Sequence, residues 1–213
     1  MSYGFEVRFT PVELSIDQAA ARLAPVLERH GIVYRGEVSR LVNVGGSPSL
    51  FSLDSYPVPR LEDLSVVAKR WFGVGLVCVW PHVGEVYVQL FKLPAGKLSL
   101  VYNEDRSAFR ARMADRALVE PLIGMLVDVL AALDSELCVY DSEQLDGYRR
   151  ASITEVAHIL GSASFDSGAC EGLVVGARRS LERVFGEHPA GVRGQVEQRG
   201  ERWLVLNRLV TSA

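Results

Sequence analysis

The sequence predicts an α+β protein: a mainly antiparallel sheet with helices packed on one face, followed by a C-terminal α/β-hairpin lobe. Three observations point there. Over residues 1–141 the periodicity runs β-α-β-β-α-β-β-β-α-β, without the regular alternation of a doubly wound parallel fold. Residues 75–102 hold three apolar runs separated by the tight turns PHVG and PAG, the pattern of an antiparallel meander. The chain has 213 residues, 48% of them hydrophobic, enough to bury a core without a disulfide or metal staple.

Each element has a local reason. FEVRF (residues 5–9) alternates as a strand, and Pro11 ends it. Ser15 with Gln18 forms a capping box, and Ile16, Ala19, Ala20, Leu23, Val26 and Leu27 recur at helical spacing until Gly31 stops the helix. Residues 32–34, 39–44 and 50–53 read as short strands, with a turn at GGSP and a proline-rich loop over 56–59. Leu61, Leu64, Val67, Ala68 and Trp71 predict a helix over 61–71. In the central strand of the meander, Val86, Val88 and Leu90 share one face, while Tyr87, Gln89 and Phe91 share the other.

Residues 106–133 read as helical, with a stripe at Leu118, Leu122, Met125, Val129 and Leu133, and with Pro121 marking a new first turn or a kink. Residues 136–140 form the next strand. Beyond Asp141, a second capping box at Ser152 and Glu155 opens a helix to about residue 160, a Gly/Ser-rich loop follows, and a short helix spans 175–185. Residues 195–199 and 202–210 form a hairpin. The expected division is a core domain over 1–141 and a lobe over 142–213 packed on it, or a single domain of both.

Composition narrows the function. The 23 basic and 26 acidic side chains leave a net charge of −3 and a pI near 5.9. No net positive field exists to recruit phosphates, which argues against direct nucleic-acid binding. No run of about 18 uncharged apolar residues predicts a membrane span. The N-terminal MSYGFEVRFT lacks a basic region followed by an apolar one, and a cytoplasmic location is expected. The odd cysteine set, Cys78, Cys138 and Cys170, reads as reduced thiols, two of them in apolar strands. There are 20 arginines to 3 lysines, and 29 valines to 5 isoleucines; this bias suggests a GC-rich bacterial genome and weakens arginines as evidence of anion binding.

No motif fixes a chemistry. His30, His82, His158 and His188 are dispersed, with no HxH or CxxC pair, so neither a metal nor a cofactor is expected. VGGSPS lacks a Walker lysine, and GLVVGARRS (172–180) offers a helix start but no GxGxxG. His158, Asp166 and Cys170 could build a composite nucleophilic site, without any local signature such as a GxSxG elbow. On a continuous helix, Arg106 with Arg110 and Arg112 with Arg116 would make two basic rows: a weak anion-binding face, or a solvated one.

Charge is unevenly spread. Residues 134–171 carry eight acidic residues against two arginines, a net of −6, and residues 174–208 carry +3. Within the acidic block, Asp141, Glu143 and Asp146 are interleaved with Tyr140 and Tyr148. Carboxylates steer a basic partner and tyrosines anchor it. The expected function is therefore a non-enzymatic protein-binding module that recognises a basic protein surface, of the inhibitor or immunity type that neutralises a toxin. The alternative is an enzyme with a composite site for an anionic small molecule.

Overall fold

The computed structural model describes residues 4–44, 47–81, 83–105, 108, 115–141, 173–177, 195–199 and 202–206. The first ten elements follow the predicted order. They are β1 (Gly4–Phe9), α1 (Ile16–Arg29), β2 (Val33–Val44), β3 (Ser47–Pro57), α2 (Leu64–Ala68), β4 (Gly73–Trp80), β5 (Gly84–Lys92), β6 (Leu98–Asp105), α3 (Arg116–Leu133) and β7 (Leu137–Asp141). The C-terminal strands are β8 (Leu173–Ala177), β9 (Gln195–Arg199) and β10 (Arg202–Leu206). The strands pair antiparallel in one sheet, ordered β3-β2-β4-β5-β6-β1-β7-β8-β10-β9. The fold is α+β, and the expected hairpin is β9–β10, joined to β7 through β8.

Strand alternation decides which face the helices cover. Val86, Val88 and Leu90 of β5 join Val7, Phe9, Leu76, Leu100 and Cys138 in the core under α1 and α3. The capping box forms as predicted: Ser15 Oγ accepts from Gln18 N and Gln18 Oε1 accepts from Ser15 N. The chain leaves α1 through Gly31 at φ 68°, a left-handed position that favours glycine. On the opposite face, Leu41, Phe91 and Val101 form a second buried cluster, with Phe72 stacked on Phe91.

Several expectations need correction. Residues 33–44 form one strand, with Gly36 at φ 76° inside its register shift. The two short strands read from the sequence are therefore one bent strand. Tyr56 and Pro57 belong to β3, not to a loop. β3 is the sheet edge, where a proline's missing N–H costs no ladder bond. The helix predicted over 61–71 is a 3-10 turn (Leu61–Asp63) and α2; Trp71 instead packs against Tyr56 at 4.8 Å. Asp115 is an extended N-cap (φ −126°, ψ 113°), so α3 starts at Arg116 and no continuous helix joins Arg112 to Arg116. Leu118 is 46% exposed; the rest of the expected stripe, Leu122, Met125, Val129 and Leu133, is buried, together with Val119, Ile123 and Leu126.

Residues 175–177 lie in β8 instead of opening a helix. A short apolar run has no period that separates strand from buried helix, and pairing with β7 and β10 settles it. The helix expected over 152–160, the loop over 161–172 and residues 178–185 lie outside the described residues.

A polar knot closes the β1–β7 seam. Thr10 Oγ1 accepts from the backbone N–H groups of Glu136 (3.0 Å) and Leu137 (3.2 Å) and lies 2.8 Å from Ser135 Oγ. Ser135 Oγ donates to Thr10 O at 3.0 Å. Both side chains are buried. A second link joins the helices: Asp128 on α3 accepts from His30 Nε2 (2.9 Å) and Arg29 (3.0 Å) at the end of α1. Burial pushes the Asp128 carboxyl up, but the hydrogen bonds and charges of His30 and Arg29 outweigh it and hold the group below the ordinary carboxylate range.

Three outcomes follow from this packing. Thr10→Val keeps the shape but strands two backbone N–H groups at the seam, and should cost about 3 kcal/mol in urea denaturation; Thr10→Ser should recover most of it. Gly73→Ala would place its Cβ 2.6 Å from Leu90 O and from Phe91 Cβ, both fixed by the ladder. That substitution should destabilise by about 1–3 kcal/mol. For Asp128, the folded-state pKa is depressed. Its contribution is therefore present above the unfolded value near 4 and lost as pH falls through the lower folded value. Solvent screening limits it to below about 1 kcal/mol, and the stability gap between wild type and Asp128→Asn should close across that acid window.

Candidate functional site

Acidic residues gather at one end of the sheet, where β1 and β5 begin and β6 and β7 end. The register sets Gly4 opposite Asp105, Glu6 opposite both Asn103 and Asp141, and Tyr87 opposite Asn103. Directly paired residues share a face, so Tyr87, Asn103 and Glu6 form one cross-strand row away from the helices. Glu85 and Asp105 stand one step nearer the end, both exposed. Arg8 pairs with Glu6 at 2.8 Å, and Arg35 lies 4.0 Å from Glu85.

Tyr87 donates its hydroxyl to Glu85. Burial, then the hydrogen bond and charge of Glu85, push the Tyr87 phenol up to about 12, so it remains a neutral donor at physiological pH. The Asn103 side-chain nitrogen is buried with no hydrogen-bond partner among the described residues. On the helix side, Glu104 is 2% exposed and accepts from Tyr102 at 2.5 Å, while the Trp80 ring meets Tyr102 edge-on. A carboxylate at an apolar-face position of LSLVYNED was the sequence signal for this buried acid, and composition alone did not raise it.

Of the residues expected to bind a partner, Tyr140 and Asp141 close β7, opposite Val7 and Glu6. Asp141 thus joins the end of the sheet that already holds Glu6 and Asp105. Glu143, Asp146 and Tyr148 lie outside the described residues, as do Arg106, Arg110 and Arg112; Arg116 is the first residue of α3. His82, His158, Asp166 and Cys170 also lie outside them. Cys78 and Cys138 are buried thiols. Burial pushes Cys78 up to about 12, which keeps it protonated and inert.

Two clefts flank the β1–α1 connection, which a backbone bridge between Val12 and Leu98 pins to β6. One, of about 580 Å³, lies beside Thr10, Arg22, Asp134 and Glu136. The other, of about 790 Å³, is lined by Lys69, Lys92 and Lys97 with Glu13 and Asp17, over an apolar floor that includes Leu14, Leu93 and Leu98. Lys92 Nζ donates to the Ala68 carbonyl at 3.1 Å and to the Lys69 carbonyl at 3.2 Å. It thereby closes the C-terminus of α2. The Ser15 hydroxyl, assisted by the charge of Lys69, holds Asp17 below the ordinary carboxylate range. Sequence reasoning passed over these three lysines because they are far apart in the chain.

Among the described residues, no cluster of three His, Cys, Asp or Glu side chains could hold a metal ion, and no helix is long and apolar enough to cross a membrane. No protein family, curated protein or solved structure matches this chain.

Proposed function

We propose that the protein is a non-enzymatic binding module that engages a basic protein surface through the acidic end of its sheet, as a bacterial inhibitor or immunity protein engages a toxin in the cytoplasm. The observation that supports this is the gathering of Glu6, Glu85, Asp105 and Asp141 at the strand ends. Glu143 and Asp146 then follow Asp141 closely in sequence.

The physics suits recognition. Unlike charges steer encounter over a Debye length of about 8 Å in physiological salt, and paired strands present these positions without prior ordering. Tyr87 adds an aromatic surface with a neutral hydroxyl.

The test is co-purification from the native host of wild type and of a variant carrying Asp141→Asn, Glu143→Gln and Asp146→Asn. The expected result is one stoichiometric partner with a basic surface. Its association rate should fall about tenfold or more between low and physiological salt, and the triple variant should lose it. Absence of a partner, or equal retention by the triple variant, would sink the proposal.

A further inference from the structure

We infer that the 790 Å³ cleft between α1, α2 and the β5–β6 turn is a binding site for a small phosphomonoester with an apolar body. The inference does not depend on the protein-binding reading, since the cleft involves none of the acidic end of the sheet.

The chain holds 23 cationic side chains, of which 20 are arginine and 3 are lysine. All three lysines line this one cleft, although they come from three places: Lys69 after α2, Lys92 at the end of β5 and Lys97 before β6. A compositional preference for arginine would account for the scarcity of lysine but not for this convergence. Lysine differs from arginine in being a compact, strongly hydrated point charge on a flexible stem, suited to a tetrahedral oxyanion approached from several sides.

The electrostatics favour an occupant. Neither the Lys69 nor the Lys97 ammonium has a hydrogen bond or ion pair among the described residues, while Lys92 is held in place by the α2 carbonyls. Three ammonium groups against Glu13 and Asp17 leave the cleft net positive. The first turn of α1 borders it, but Ser15 already caps that turn, so the lysines supply the charge. The turn between Lys92 and Lys97 holds Ala95 at φ 63°, a left-handed conformation that a residue with a Cβ adopts at a cost. That strain sits on the wall of the cleft. Leu14, Leu93 and Leu98 give the floor an apolar character that bare phosphate would leave unused, hence the apolar body. The volume lies in the range of small-molecule sites.

Calorimetric titration at constant ionic strength, with inorganic phosphate and with phenyl phosphate, tests this directly. The expected result is saturable binding of both, tighter for phenyl phosphate. The double variant Lys69→Ala, Lys97→Ala should weaken it about tenfold or more, and Arg70→Ala, an exposed neighbour outside the cleft, should change it less than about twofold. A second readout needs no substitution. Because the chain has no other lysine, acetic anhydride labelling followed by mass spectrometry reports this cleft alone, with the α-amino group as internal reference. Phenyl phosphate should slow acetylation of Lys69 and Lys97 but not of the α-amino group. No saturable binding, equal loss in the Arg70 variant, or unprotected lysines would each overturn the assignment.

Discussion

The described strands C-terminal of α3 join the sheet through the pairing of β1 with β7, and Thr10 closes that seam. The ladder there has only four register pairs, Glu6–Asp141 to Phe9–Cys138. At its inner end the chain must turn out of α3 through Asp134, in the left-handed region at φ 55°, and into β7 within three residues. Such a turn leaves backbone donors facing inward. The Thr10 hydroxyl takes two of them, and Ser135 returns a hydrogen bond to the Thr10 carbonyl. With the donors satisfied, the seam can be buried, and α3 can lie over β7 and β8. The same register brings Asp141 beside Glu6.

The two faces of the sheet divide the work. One is filled by α1, α2 and α3 over an aliphatic layer. The other mixes Phe91 and Val101 with buried Gln89, Ser99 and Asn103, so it carries hydrogen-bonding groups where a core would ordinarily be apolar. The charged groups behind both proposals lie at the ends of strands and at the connections, where side chains are held by rigid elements yet meet solvent. The acidic end and the lysine cleft are both of this kind.

The fold was largely legible because its signals are local. Ser15 and Gln18 announce α1 regardless of what packs on it, and the alternation in EVYVQLFKL states its two faces directly. The departures occur where tertiary pairing outweighs local preference. Pro57 is tolerated because β3 is an edge, and residues 175–177 are strand because β7 and β10 offer partners. Leu118 has the right spacing for the α3 stripe but lies in the exposed first turn, whereas Leu122, Met125, Val129 and Leu133 are buried as their spacing predicts. The acidic end was half legible. The charge block and Asp141 were visible, whereas Glu6, Glu85 and Asp105 become neighbours only through register. The lysine cleft was not legible, since Lys69, Lys92 and Lys97 converge only through tertiary packing.

The position of β1 has a consequence for synthesis. Val7 pairs with Tyr102 and Tyr140, so β1 has no sheet neighbour until about a hundred more residues have been added. At roughly 5–20 residues per second that is about 5–20 s on the ribosome, during which β1 is an unpaired edge. Glu6 and Arg8, at alternate positions in GFEVRF, interrupt its apolar surface with charges of opposite sign. In the finished sheet they form an ion pair; in the nascent chain the same two charges keep one face of the unpaired strand polar.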